Sequence, residues 1–183
     1  ANTSSRDMKA IRFARESLLG AVIFSAVRSE RDRLVEALAS QLATIELPSG
    51  AWVVRKGEIT SAVYILYQGA AAWTPEAGGR ARQPIEPGEV WGAVEAIRGM
   101  PFAKSVQVDG ATAKLITISA PHLLETLSQY SLSETHLHRL AWDEAVARGI
   151  PGSEEGRAKF YAAHEPHDAD AVSSSQVEHK PTE

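Results

Sequence analysis

Pro87-Gly88-Glu89-Val90-Trp91-Gly92-Ala93, and after it Pro101-Phe102-Ala103-Lys104-Ser105-Val106, are the stretches on which the fold turns. A Pro-Gly pair marks a turn at 87–89, and the segment 90–100 leads into a strand-like run at 105–108. On the N-terminal side, residues 62–73 alternate Val63, Ile65 and Tyr67 against Tyr64, Leu66 and Gln68, the period of a strand. Gly69 interrupts that run, where a bulge or tight bend is expected. Earlier still, Pro48-Ser49-Gly50 precedes a short β-rich run, Trp52, Val53 and Val54, which ends at the turn Lys56-Gly57-Glu58. On the C-terminal side a further run, 114–118, is joined to 105–108 by Asp109-Gly110, which predicts a hairpin turn. Residues 74–82, with Pro75, Gly78 and Gly79, read as a loop. Short strands with glycine-marked turns every 8–12 residues or so predict a β-sandwich or barrel.

Helices flank this β region. Residues 6–27 carry a helical pattern divided at Gly20. Ser29 is the expected N-cap of a second helix, in which Leu34, Val35, Leu38 and Leu42 share a face. Both precede any strand signal. After the β region, residues 121–129 form a short helix with Leu123, Leu124 and Leu127. Ser131 and Glu134 make a capping box for a longer helix carrying Leu137, Leu140, Ala141 and Ala145, stopped by Gly149-Ile150-Pro151-Gly152. Residues 153–163 are expected to hold one or two helical turns, and the polar chain from about 163 reads as disordered.

The chain has 183 residues and a net charge of −4, from 19 Lys+Arg and 23 Asp+Glu. Residues 163–183 hold one base, Lys180, and five acids, so the remaining body is balanced at 18 of each. A neutral body exerts no global pull on phosphate backbones. One local candidate is a basic stripe, Arg6, Lys9, Arg12 and Arg15, for an anionic lipid or nucleic acid; a solvated face opposite Ile11, Phe13 and Leu18 is the preferred explanation. No apolar run is long enough to span a bilayer, and the N-terminal residues form no signal-peptide core. With no cysteine, disulfides, thiolate nucleophiles and zinc-thiolate sites are excluded, which fits a cytoplasmic location.

The series Ile23-Phe24-Ser25, Leu47-Pro48-Ser49-Gly50, Lys56-Gly57-Glu58, residues 63–69, Pro87 through Gly92 and Pro101 through Val106 resembles the cyclic-nucleotide-binding domain. That family is the sensory module of catabolite-activator-type regulators, cyclic-nucleotide-gated channels and the regulatory subunit of protein kinase A. The resemblance spans residues 18–127 and rests on five glycines, Gly50, Gly57, Gly69, Gly88 and Gly92, in the family's order. It implies an α+β fold, a β jelly roll (double-stranded β-helix) flanked by N-terminal and C-terminal helices. It divides the chain into a basic helical extension (1–17), the domain with its terminal helix (18–149) and a C-terminal extension (150–183).

The resemblance also implies a phosphate-binding cassette patterned Phe-Gly-Glu, short helix, Pro-Arg-x-Ala-Thr/Ser-Val. There the glutamate takes the ribose hydroxyl and the arginine the cyclic phosphate. This sequence departs at both positions: Ala93 stands for the glutamate and Phe102 for the arginine, with no shift of register between Gly92 and Phe102. Loss of such a buried charge pair costs on the order of 2–5 kcal/mol. Ordinary binding of cyclic AMP or GMP is therefore not expected. Pocket candidates are Gly92, Ala93, Val94, Phe102, Ala103, Lys104 and Ser105, with Phe102 as a plug and Lys104, on the same strand face as Phe102, as a replacement charge. Glu95 and Arg98 are further candidates for compensation.

No metal or cofactor is expected. His136 and His138, two apart on a helix, point about 200° apart and cannot share a metal. His164-Glu165-Pro166-His167-Asp168 has ligand types without a packed second shell. No Walker loop, His-Glu-x-x-His or Gly-x-Ser-x-Gly motif occurs, so no enzyme is expected. Trp52, Trp73 and Trp91 are expected at the core and rim of the roll. Leu137, Leu140 and Trp142 are candidates for a protein partner or homodimer seam. The polar residues after 152 offer no helix-turn-helix, so no DNA-binding module is expected. The reading is a non-enzymatic regulatory or scaffolding module; the alternative is an anionic-ligand sensor acting on a partner in trans.

Overall fold

The computed structural model describes residues 5–25, 30–74, 82–130, 134–150 and 152–164. Three helices come first, α1 (Ser5–Gly20), α2 (Val22–Ser25) and α3 (Arg31–Ala39). The roll follows: β1 (Leu42–Pro48), β2 (Trp52–Val54), β3 (Ala62–Trp73), β4 (Gln83–Ile85), β5 (Val90–Trp91), α4 (Ala93–Arg98) and β6 (Val106–Ser119). Helices α5 (Ala120–Gln129), α6 (Glu134–Ala147) and α7 (Ser153–His164) close the order. All pairings are antiparallel, in the order β1-β6-β3-β4, with β2 on β6 and β5 on β3. This is the α+β roll with flanking helices that the sequence predicts.

The two long strands β3 and β6 organise the core because both of their faces are covered. Val63 and Ile65 of β3, with Ile116 and Ile118 of β6, pack against helical residues such as Ala14, Leu18, Leu34, Val94 and Leu123. Their alternates, Tyr64 and Leu66 with Ala113 and Leu115, face the roll interior beside Ile85, Trp91, Phe102 and Val106. Period two along a strand thus sorts one run of apolar residues into two cores. Helix α1 runs unbroken through residues 17 and 18 and buries Ala10, Ala14 and Leu18, so the basic extension is packed on the domain itself.

Several local expectations are corrected. Leu42 does not continue the second helix. The Ser40 amide already closes α3 on Glu36 and Ala37, and residues 42–48 form β1 opposite Thr112–Ile118. Glu30 precedes α3 without a side-chain cap, while Ser29 lies outside the described residues. Asp109-Gly110 makes no hairpin. Gly69 pairs with Ala113 and Ala70 with Asp109, so residues 110–112 bulge out within one continuous strand. Gly110, at φ 79°, supplies the kink there. The partner position must be glycine as well: a Cβ on Gly69 would sit 2.2 Å from the Thr112 carbonyl oxygen. Gln83–Ile85, beside the expected loop, is a short strand on Ala71–Trp73, and its Pro84 is tolerated at a sheet edge. Helix α7 runs twelve residues rather than one or two turns. The capping serine Ser131 and the tail from 165 lie outside the described residues.

Candidate ligand pocket

The cassette is held by backbone geometry. Gly92 (φ 89°) turns the chain from β5 into α4, and a Cβ there would lie 2.7 Å from the Ala62 carbonyl oxygen. Gly99 (φ 61°) ends α4, and the Met100 amide donates back to the Glu95 carbonyl at 2.9 Å. The Phe102 amide then donates to the Glu58 carbonyl at 2.9 Å, and the Phe102 carbonyl accepts from the Gly57 amide at 2.8 Å. These two bonds fix Phe102 against the 57–58 turn. Its ring is 3% exposed and belongs to the roll-interior core with Tyr64, Ile85, Trp91 and Val106.

Ala93 and Val94 are buried too, but in the other core, beneath the helices. The two positions that the resemblance pairs for ribose and phosphate therefore carry only apolar side chains, packed into separate clusters. Ser105 is engaged structurally: its hydroxyl accepts from the Lys56 amide at 2.8 Å and its carbonyl from the Thr74 amide at 2.9 Å. Residues 103–104 form a bend, not a strand. Strand alternation therefore does not bring Lys104 to the side of Phe102; Lys104 is exposed, and with Ala103 it lines a separate cavity.

That cavity, of about 780 Å³, lies between α1, the 87–91 segment, the cassette bend and the C-terminal end of α6. Trp73 and Trp91 form part of its wall. Glu95 of α4, Glu144 of α6 and Arg148 just past its end form another. Glu95 is 3% exposed, and its Oε1 lies 3.5 Å from an Arg148 guanidinium nitrogen. Its Oε2, the Oε2 of Glu144 and the indole Nε1 of Trp91 are buried without a hydrogen-bond partner. Burial pushes the Glu144 carboxyl above its ordinary value; Arg148 opposes this and the neighbouring Glu95 reinforces it.

Glu144 and Arg148 were not singled out by the sequence. They stand four apart, Arg148 one residue past the end of α6 with its amide still bonded to the Glu144 carbonyl, so they share a face, but only the packing of α6 on α4 directs that face to Glu95. Arg98, proposed as a compensating charge, also faces α6 but is engaged there away from the cavity lining. Its guanidinium sits 4.1 Å from the centre of the Trp142 ring and is bonded to His138 Nδ1, and burial lowers its pKa.

Trp142 is correspondingly unavailable as a partner-facing residue. It is 8% exposed, and a Cβ on Gly156 of α7 would fall 2.2 Å from its ring. Leu140 is half-buried, and the side chain of Leu137 lies outside the described residues, as does that of Arg6. Of the basic stripe, Arg12 pairs with Glu16 and Arg15 with Glu36, each at 3.0 Å, while Lys9 is exposed. Trp91 is core, Trp73 half-buried and Trp52 42% exposed, as core and rim positions require. No group of three or more potential metal ligands assembles among the described residues, and no described helix is long and apolar enough to cross a membrane.

No family model and no curated protein matches the chain. Among solved structures it is similar to a cyclic nucleotide-binding-like protein from Brucella abortus, at 20% identity and a TM-score of 0.53, covering 63% of this chain and 97% of that one. It is also similar to the regulatory domain of Toxoplasma gondii PKA, crystallised with cAMP, at 20% identity and a TM-score of 0.49, covering 67% of this chain and 47% of that one. The chain has the fold of a cyclic-nucleotide-binding-like domain.

Proposed function

We propose that the protein is a non-enzymatic regulatory or scaffolding module whose roll has lost ordinary cyclic AMP and GMP binding and which works through contact with a protein partner or a second copy. The observation that carries this reading is Phe102, buried in the roll interior at the position where the resemblance expects the phosphate-binding arginine. Ala93, also buried, offers no carboxylate for a ribose. An anion entering the roll would meet packed rings and no charge, and desolvating a phosphate there has no compensating partner. Trp52 and Ile59, exposed by 42% and 65%, supply apolar surface for protein contact.

A thermal-shift measurement with cyclic AMP and cyclic GMP at about 1 mM tests the first half. A Kd near 10 μM would stabilise the protein by about 2.7 kcal/mol, a rise of several degrees. No rise is expected. Sedimentation over a wide protein concentration range tests the second half: a monomer throughout excludes the homodimer form. The alternative, an anion sensor, leans on Lys104 and Arg148 in the outer cavity, but Arg148 is already engaged by Glu95.

A further inference from the structure

The outer cavity has a charge balance opposite to that of an anion site. Its wall carries four carboxylates, Glu89, Glu95, Glu144 and Glu16, the last already paired with Arg12, against two cations, Lys104 and Arg148. Where α4 meets the end of α6, two carboxylates face a single guanidinium. Glu95 is almost wholly buried, and both it and Glu144 keep an oxygen with no hydrogen-bond partner. Buried carboxylate oxygens are normally satisfied, so this cluster lacks one positive charge and a set of N–H donors. The same wall holds the half-buried indole of Trp73, a ring of the kind that attracts cations, whereas the Trp91 ring is 2% exposed and stacked on Tyr64. The volume, about 780 Å³, is in the range of small-molecule pockets.

We propose that this cavity binds an organic cation bearing N–H donors, a primary ammonium or guanidinium group, held between the carboxylates of Glu95 and Glu144 and the indole of Trp73. Arg148 is a positioning residue, keeping the Glu95 carboxylate at the wall. The N–H requirement follows from the unpartnered oxygens: a quaternary ammonium would meet the Trp73 indole but leave the oxygens unsatisfied. The site goes beyond the function proposed above and does not depend on the loss of cyclic-nucleotide binding.

Calorimetric titration of the full chain tests it with agmatine as a free small cation, Nα-acetyl-argininamide as a protein side chain, and choline as a cation without N–H donors. Agmatine or the blocked arginine is expected to bind saturably at one site and to change tryptophan fluorescence, with choline much weaker. Binding of agmatine alone assigns the source to a free metabolite; binding of the blocked arginine assigns it to a partner's side chain. Glu144→Gln, which removes a charge without emptying the wall, is expected to weaken binding roughly tenfold or more. Trp73→Ala is expected to weaken it several-fold through the ring contact alone. No saturable binding of either probe up to about 10 mM, or binding that Glu144→Gln leaves unchanged, overturns the proposal. Cyclic AMP in the same calorimeter reports separately on the loss of nucleotide binding, so failure of one reading is not mistaken for failure of the other.

Discussion

The roll interior and the outer cavity share one wall, yet they are opposite environments. Trp91 lies in both: it packs with Phe102, Tyr64 and Val106 inside the roll and lines the cavity outside. Inside, the cassette presents an apolar ring fixed by two backbone hydrogen bonds, with no charged partner for a phosphate. Outside, helix α4 turns Glu95 toward Arg148 and Glu144, and buried oxygens stay unsatisfied. The glycines thus fix the path of this segment independently of the side chains beside it. Gly92 and Gly99 shape the same short helix whether the residues beside it are charged or apolar.

The largest expected effect falls on the closed side. Phe102→Ala opens a cavity in a packed core and should cost about 3–5 kcal/mol, read as a lower midpoint in denaturant with an unchanged slope. A loss below about 1 kcal/mol would mean that the ring is not part of the core and would remove the contrast. Next comes the bulge that lets β3 and β6 wrap around that ring. Gly69→Ala adds a Cβ at φ 86° against the Thr112 carbonyl and should cost about 1–3 kcal/mol by the same measurement.

These two positions also mark what the sequence makes legible. The glycine series and the alternation in 62–73 disclose the roll because strand period and turn chemistry are local properties. The Ala93 and Phe102 departures are local too, and both side chains are buried. What escapes depends on packing. Leu42 satisfies a helical stripe as well as it satisfies a strand, and only pairing with Ile118 decides between them. Asp109-Gly110 is turn chemistry in either setting, and the offset at Gly69 makes it a bulge. Glu144 and Arg148 look like any solvated i,i+4 pair until α4 brings Glu95 against them.

The open side yields a smaller, pH-dependent effect. The Glu144 carboxyl is raised above its ordinary 4.5 in the fold, so the folded chain holds this proton to higher pH than the unfolded chain does. Its contribution to stability is complete below about 4.5 and declines as pH rises through the folded value. Glu144→Gln removes that decline. The variant should match the parent in acid and gain on it toward neutrality, read as a rise in thermal midpoint. A variant that loses stability at neutral pH would show that the charged carboxylate is well paired. The smallest effect is expected far from both regions. Arg12→Gln removes an exposed pair with Glu16 and should leave the midpoint unchanged within error.

The most direct test of the closed interior is isothermal titration calorimetry of the unmodified protein with cyclic AMP and cyclic GMP, taken to about 1 mM ligand. The account predicts no saturable heat from either nucleotide, because Phe102 occupies the place of the phosphate contact. Saturable micromolar binding would contradict it, and its loss on Lys104→Ala would place the phosphate contact at the cassette bend.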